Sequence, residues 1–392
     1  MLNDIYASID QSYDEMVEIR RYLHQYPELS FHEEETAQYI ASFYEKLGIP
    51  YETKIGGNGV IATLKGGKPG KTIALRADFD ALPIDDEKDV AYKSTVPGVM
   101  HACGHDGHTA TLLILAKVMQ SFQEQLEGTI VFLHQHAEEI TPGGANSIVR
   151  TGKLDHVDAI FGNHLWATTD LGKIETKPGV FMAGTDRFDI TIKGKGGHGA
   201  YPHETKDAIV IAAELISKLQ TIISRNIDPL KTAVITIGQV NAGSSFNVIA
   251  GEATIVGTVR YLEKETQQNV KEKMEQIVYG VCQTNGADVD YVYSEGYPPV
   301  DNHAAETNLV FSTSEQIDEI NQAVEVSPQM GGEDFAYYLE HKPGAFFFTG
   351  AKKAGNEAPH HHPMFDIDEK AMPIAAKMLI GVYDAFQKRH HK

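Results

Sequence analysis

The sequence predicts an α/β protein: a larger domain with a mixed, mostly parallel sheet flanked by helices, interrupted by an inserted ferredoxin-like α+β domain. Three observations lead there. Short apolar strands alternate with helical periodicity through residues 1–184 and resume in 295–392. Between them, residues 185–294 run in the order β-α-β-β-α-β of the split ferredoxin-like unit. Polar, ligand-competent side chains collect just past the ends of strands in the outer segments, where mostly parallel sheets hold their ligands.

Taken in order, residues 13–26 read as a helix stopped by Pro27, and 34–47 as a second helix stopped by Gly48. Residues 60–65 and 72–77 are strands joined by the turn-forming G-G-K-P-G-K. The second strand runs into R-A-D-F-D-A-L-P, with Asp78 and Asp80 at its carboxyl end. From Thr109, Leu112, Leu115, Ala116, Met119 and Phe122 fall at helical spacing. Residues 129–134 form an almost wholly apolar strand of the kind buried on both faces, leading into Glu138 and Glu139. A similar strand at 158–162 leads to His164. In the insert, the strands are the segment from about 186, then 233–240, 253–260 and 288–293, with helices at 207–224 and 264–285. A helix at 304–321, a strand at 345–349, H-H-H-P and a last helix at 370–387 complete the chain.

The apolar fraction of 42% and charged fraction of 22% describe an ordinary soluble globular protein, and 392 residues are enough for two domains. A net charge of −20 argues against nucleic acid or an anionic membrane as partner, since phosphate binding needs a basic face. No apolar run approaches the roughly 20 residues that span a bilayer, and no basic, apolar leader opens the chain. Two distant cysteines, Cys103 and Cys282, give no disulfide framework, which fits a cytoplasmic location.

The most informative stretch is M-H-A-C-G-H-D-G-H at 100–108. Thiolate and imidazole two residues apart, with a glycine between to turn the loop, suit zinc or a late first-row divalent ion. Five ligand-competent groups in eight residues (His101, Cys103, His105, Asp106, His108) favour a metal site over a reactive loop cysteine with chance neighbours. His164 read alone is a hydrogen-bonded core histidine, and Glu138–Glu139 read alone is a solvated turn. Their joint occurrence at one edge of three strands, with Asp78 and Asp80, favours a metal cage.

With these residues in hand, the chain resembles the M20 metallopeptidases, nearest their amidohydrolase branch of aminoacylase-like, hippurate-hydrolase and auxin-conjugate-hydrolase enzymes. The matching motifs are R-A-D-F-D-A-L-P at 76–83, H-A-C-G-H-D-G-H at 101–108, H-A-E-E at 136–139 and G-N-H-L-W at 162–166. G-K-G-G-H-G-A-Y-P-H at 194–203, F-N-V-I at 246–249 and G-G-E-D-F at 331–335 continue the series. The resemblance implies two divalent ions, zinc or manganese first and cobalt or nickel next, held by Cys103, His105, Glu139, His164 and a late histidine. The His-x-Pro pattern selects His361, with His360 and His362 as alternative alignments. Glu138, beside the ligand Glu139, is well placed as general base. The resemblance further implies His198 as oxyanion donor, against a histidine that only caps its turn, and Asn247 and Arg260 on the substrate's carboxylate end, against a surface strand residue for Arg260. A homodimer through the inserted dimerisation or lid domain is expected, with His198 serving the partner's site. His136 departs from the family, where proline commonly precedes A-E-E.

The expected activity is hydrolysis of the amide bond of N-acyl amino acids by a metal-activated water. A dipeptidase or aminopeptidase of the same family is the nearest alternative, and a non-catalytic metal-binding protein the next. A thiol-redox role for Cys103 is disfavoured, as no resolving cysteine lies nearby in sequence.

Overall fold

The computed structural model describes residues 1–390 and divides into two compact units. The first comprises Met1–Phe181, Val300–Ser327 and Asp334–Lys392; the second comprises Met182–Pro299 and Pro328–Glu333. The second is slightly wider than 185–294, because Met182 bridges to Gln329 and Ala183 N–H donates to the Gln329 carbonyl.

In the first unit, helices α1 (Leu2–Gln11), α2 (Tyr13–Gln25) and α3 (Glu34–Leu47) precede strands β1 (Tyr51–Ile55), β2 (Gly59–Lys65) and β3 (Lys68–Asp78). Helix α4 (His105–Ser121), β4 (Glu127–Gln135), α5 (Gly144–Arg150), β5 (Ala159–Trp166), β6 (Lys173–Thr176) and β7 (Gly179–Met182) follow. The second unit contributes β8 (Gly184–Lys193), β9 (Gly197–His198), α6 (Ala208–Asn226), β10 (Ala233–Ala242), β11 (Val248–Ile249), β12 (Glu252–Tyr261), α7 (Lys264–Thr284) and β13 (Asp288–Glu295). The chain then returns through β14 (Val300–Asn302), α8 (Ala304–Ser314), β15 (Gln322–Glu325), α9 (Ala336–Leu339), β16 (Gly344–Gly350) and α10 (Ala371–His390).

The large sheet has the order β1-β2-β4-β3-β5-β16-β6-β15. Its centre, β4-β3-β5-β16, is parallel throughout, while β1, β2 and the β16–β6 pair are antiparallel. The two strands joined by G-G-K-P-G-K do not pair with each other, because β4 inserts between them. Register sets Asp78 beside Gln135 and His164 beside Phe348, so the functional ends of four strands share one edge. Helix α4 is buried on almost every face, as its nearly continuous T-A-T-L-L-I-L-A run requires.

One helix is additional to those expected, and one is shorter. The N-terminus is helical, with Leu2, Ile5 and Ile9 at helical spacing and the two isoleucines buried. The helix expected over 304–321 ends at Ser314, where Ser312 and Ser314 hydroxyls donate to the carbonyls of Leu309 and Phe311; β15 then follows.

The second unit is an antiparallel sheet in the order β10-β12-β8-β13, the ferredoxin-like arrangement, with its own apolar core drawn from the sheet, α6 and α7. In β12 the odd-numbered positions from Ala253 to Tyr261 are buried, leaving Thr254, Val256, Thr258 and Arg260 on the other face.

One ionic cluster fixes α2 against the rest of the first unit. Arg20, fully buried, donates to Asp106 (2.8 Å), Asp366 (2.9 Å) and Glu369 (3.1 Å). Burial pushes the Asp366 carboxyl up, but Arg20, Lys353 and Tyr92 outweigh it and hold it at about 2. A folded-state value below the ordinary 3.8 stabilises the fold above about pH 4, and this is lost as pH falls towards 2. Arg20→Met removes the one cation shared by three carboxylates, and should cost about 3–5 kcal/mol at pH 7. The loss of stability between pH 4 and pH 2 should also become shallower than in wild type. Denaturant titrations across that range measure both.

Candidate metal centre

The centre is built by three loops and one strand. Gly104, at φ +101°, turns the chain between Cys103 and His105 and starts α4. Cys103 and His105 are thereby carried on a buried helix end. Glu138 and Glu139 follow β4, His164 lies near the end of β5, and His360 and His361 lie between β16 and α10. One ligand atom from each of Cys103, His105 and His164 lies within 4.8 Å of the others. The same holds for Cys103, Glu139 and His361, and for His105, Glu138 and Glu139.

Hydrogen bonds assign the imidazole faces. His105 Nδ1 lies 3.0 Å from the Asp80 carbonyl and 3.1 Å from Asp80 Oδ1, so it carries the proton. Its Nε2 is buried without a hydrogen bond, 3.6 Å from Asp78 Oδ2 and 3.9 Å from Glu139 Oε1, which also lacks one. His164 Nδ1 faces the Leu165 carbonyl at 3.1 Å, freeing Nε2, which lies 3.3 Å from Cys103 Sγ. His361 Nε2 reaches Glu139 Oε2 at 3.2 Å.

The remaining histidines are committed elsewhere. His108 Nε2 accepts the Leu165 N–H (2.8 Å) and its Nδ1 meets Asp78 (2.6 Å), so both nitrogens are used. His360 Nε2 accepts the Ala167 N–H (3.0 Å), which leaves Nδ1 as the protonated nitrogen, 3.7 Å from Cys103 Sγ. His360 therefore turns a donor towards the sulfur with its lone pair already spent, whereas His361 Nε2 faces the Glu139 carboxylate, where a divalent ion can replace its proton. His362 Nδ1 accepts the Met364 N–H at 3.0 Å. His101 is buried with both nitrogens unpartnered but belongs to none of the close ligand groups. His136 fits where proline is usual because Gly57 leaves room; a Cβ there would lie 2.4 Å from His136 Nε2.

Electrostatics point the same way. Burial lowers the His105 pKa, but Asp78, Asp80 and Glu139 more than compensate and push it up to about 10. Burial and the carboxylates of Glu139, Glu138 and Asp78 push the Cys103 thiol well up. A thiolate nucleophile or redox thiol is disfavoured in such a field, whereas a divalent cation is favoured. The donor set of one sulfur, imidazoles and carboxylates, with buried unpartnered atoms facing inward, fits late first-row divalent ions.

The sequence places Asp78 and Asp80 at this edge; the structure gives them the task of holding the candidate ligands. Asp80 Oδ2 accepts Ser30 Oγ (2.6 Å) and the Glu139 N–H (3.0 Å). Asp78 is held by Arg76 (2.6 Å) and His108. Arg76 also donates to Gln135 (2.9 Å) and Asp334 (3.1 Å). Only three-dimensional proximity reveals Ser30.

In the second unit, His198 and Asn247 lie on the small β9–β11 ribbon, where Gly199 N–H donates to the Asn247 carbonyl (2.9 Å). His198 Nδ1 accepts the Ala200 N–H (3.1 Å), leaving Nε2 to donate outward. Asn247 Oδ1 accepts from Ser245 (3.0 Å), leaving its amide N–H groups available. Arg260, half-buried, donates to Thr258 Oγ1 and to the Val259 carbonyl (3.2 Å). The ribbon leaves β12 at its Glu252 end, and the eight-residue rise to Arg260 is roughly 26 Å. Asn247 and Arg260 of one chain therefore lie at opposite ends of β12.

The two neighbouring histidines give a sharp test. His361→Ala should lower metal content, while His360→Gln, which keeps an acceptor for Ala167, should retain it. Cys103→Ser should also lose metal, because a hydroxyl is a far poorer ligand than a thiolate. Elemental analysis of the purified variants measures all three, and the reverse order for the histidines would exchange their roles.

The model of peptidase family M20/M25/M40 matches residues 74–384. The chain is 54% identical over 380 residues, 96% of each chain, to YhaA of Bacillus subtilis (strain 168). It is 45% identical over 300 residues, 76% of this chain and 81% of the other, to the N-acyl-L-amino acid amidohydrolase of Geobacillus stearothermophilus. Among solved structures, the Bacillus subtilis YXEP protein, described as a dinuclear metal binding peptidase from the M20 family, aligns with a TM-score of 0.82 at 36% identity. That alignment covers 97% of this chain and 99% of the other. The chain is therefore a hydrolase of peptidase family M20/M25/M40.

Proposed function

We propose that this hydrolase deacylates N-acyl amino acids, using two divalent ions held by Cys103, His105, Glu139, His164 and His361, with Glu138 as general base. The observation that carries the reading is the division of labour in the adjacent glutamates. Glu139 contacts His361 and is tied by its backbone to Asp80, while Glu138 Oε2 reaches His105 Nε2 at 4.0 Å from the same strand end. A storage site needs ligands but no second carboxylate beside them. The name of the Geobacillus relative supports the substrate class.

Bound divalent ions, zinc or manganese before cobalt or nickel, would lower the pKa of a coordinated water from near 16 towards about 7 and polarise the scissile carbonyl. Glu138 takes the proton from the attacking water and delivers it to the leaving amine as the carbon–nitrogen bond breaks. His198, its Nε2–H aimed outward by the Ala200 contact, donates to the oxyanion. Arg260 offers a guanidinium to the substrate carboxylate.

We further infer a homodimer through the inserted domain, with His198 and Asn247 serving the partner's site. Two features support it. His198 and Asn247 lie at the far end of β12 from Arg260, so a single small ligand meets all three only when they come from different chains. The edge strand β10, A-V-I-T-I-G-Q-V-N-A, is mostly exposed and carries neither charge nor proline, whereas the opposite edge, β13, carries Asp288, Asp290 and Glu295. An uncharged ten-residue edge is a template for pairing with a second copy. Two free, buried cysteines fit the reducing cytoplasm. A dipeptidase reading uses the same groups and draws support from the peptidase description of the YXEP structure. A panel of N-acyl amino acids against dipeptides, with each metal, separates the two.

Glu138→Gln should retain its ions and lose 10²- to 10⁴-fold in turnover, whereas Glu139→Gln should also lose metal. Equal metal loss in both variants, with Glu138→Gln active once reloaded, would reverse these roles. Mixing inactive Glu138→Gln with inactive His198→Ala chains under exchange conditions should restore part of the activity, because a mixed dimer regains one intact site. Demonstrated exchange with no recovery would sink the in trans role of His198.

A further inference from the structure

The connection between α2 and α3 supplies no ligand, yet it grips the turn that carries the catalytic pair. Glu33, wholly buried, receives three N–H groups: Phe31 (2.9 Å) and Ala137 (2.8 Å) on Oε1, and Asn58 Nδ2 (3.0 Å) on Oε2. Ala137 immediately precedes Glu138 and sits at φ +51°, a left-handed conformation unusual for a residue with a side chain. Its carbonyl accepts the Gly144 N–H (3.0 Å), so its backbone is held on both sides. A left-handed non-glycine persists only where its surroundings over-determine it, and the Glu33 carboxyl is the anchor on the N–H side.

We propose that Glu33 is a positioning residue, which acts on turnover by holding Ala137 in the left-handed turn that presents Glu138 and Glu139. The inference rests on the proposed role of Glu138 as base and names a residue that role does not. The acceptor matters more than the charge. Burial raises the Glu33 carboxyl to about 7, with Asp80 adding to the rise and the hydrogen bonds from Asn58 and the backbone opposing it. Whether charged or neutral, the group keeps an oxygen for the Ala137 N–H. Glutamine keeps that oxygen at the same reach, and Asn58 can turn its amide to face the new NH₂ group. Aspartate keeps the charge but withdraws the acceptor by one methylene. Alanine leaves the Ala137 and Phe31 N–H groups without the oxygen they share.

These differences predict a rank order that a charge or a bulk structural role does not give. On an N-acetyl amino acid, Glu33→Gln should stay within about threefold of wild-type kcat, while Glu33→Ala falls by up to roughly 100-fold, the scale of a misplaced catalytic group. Glu33→Asp should lie between them. KM should move little, and metal content and thermal unfolding should show the variants loaded and folded. Ala137→Gly removes the bias against the left-handed turn, so adding it to Glu33→Ala or Glu33→Asp should recover several-fold of the lost kcat. Should the alanine variant not fold, Glu33→Asp with and without Ala137→Gly carries the test. Aspartate outperforming glutamine, an unchanged kcat in the alanine variant, or no recovery with glycine at 137 would overturn the proposal. Glu138→Gln assayed in parallel keeps the two readings apart. If it remains active, the base assignment fails; if it is inactive while the Glu33 series is flat, only the role of Glu33 fails.

Discussion

The site depends on one buried carboxylate, Asp80, that stands behind the candidate ligands. Asp80 holds His105 Nδ1 with its carbonyl and Oδ1, while Oδ2 accepts Ser30 Oγ and the Glu139 N–H. One side chain thus joins the start of α4, the turn after β4 and the α2–α3 connection, which are far apart in sequence. Burial alone would raise its pKa, but bonds from His105, Ser30 and Glu139 keep the carboxyl below its ordinary value. A charged Asp80 fixes the tautomer of His105 and thereby the direction of the Nε2 lone pair. Ligand orientation is then decided before any ion arrives, which is the usual task of groups behind a metal ligand.

The same logic sorts the histidines. Five imidazoles crowd the region of Cys103, and proximity alone does not distinguish ligands from supports. Backbone groups do, because an N–H can only donate. Leu165 and Ala167 consume the Nε2 lone pairs of His108 and His360, whereas the Leu165 carbonyl fixes the proton on Nδ1 of His164 and frees its Nε2. Residues at the end of β5 and just beyond it therefore select which rings face inward. The acidic field of Asp78, Glu138 and Glu139 then sets the charge that the cavity accepts, favouring a divalent cation over a proton-poor thiol.

How much of this was legible in sequence follows from the range of each interaction. The parallel core, the insert and the convergence of Asp78, Asp80, Glu138, Glu139 and His164 were readable, because strand ends and helical periodicity are local signals. The H-H-H-P run narrowed the late ligand only by its resemblance to a family pattern; the tautomer of His360 needed Ala167, which is distant in sequence. Helix α1 carries only a short Leu2, Ile5, Ile9 stripe, too brief a periodicity to mark a helix by itself. The end of α8 has no sequence signal, because the serines that terminate it are also tolerated inside helices. Ser30, Glu33 and Arg20 carried no signal, since a serine, a glutamate and an arginine near the N-terminus ordinarily face water.

Backbone strain gives the last link between fold and chemistry. Among the described residues, four non-glycine residues hold positive φ: Phe31, Lys54, Ala137 and His361. Two of them lie at the centre itself, one as a proposed ligand and one directly before the proposed base, and Phe31 lies in the connection that holds Ala137. Such conformations cost of order 1–3 kcal/mol each, so they survive where neighbouring bonds leave no alternative. His361 is held by its backbone N–H, which donates to the Ala102 carbonyl at 2.8 Å, next to Cys103. Ala137 is held by Glu33 and Gly144. In both cases the anchor comes from a segment distant in sequence, so the ligand geometry requires the larger sheet domain to be fully folded. A site assembled this way resists splaying, because the repulsion among Asp78, Glu138 and Glu139 is opposed by fixed backbone rather than by mobile side chains.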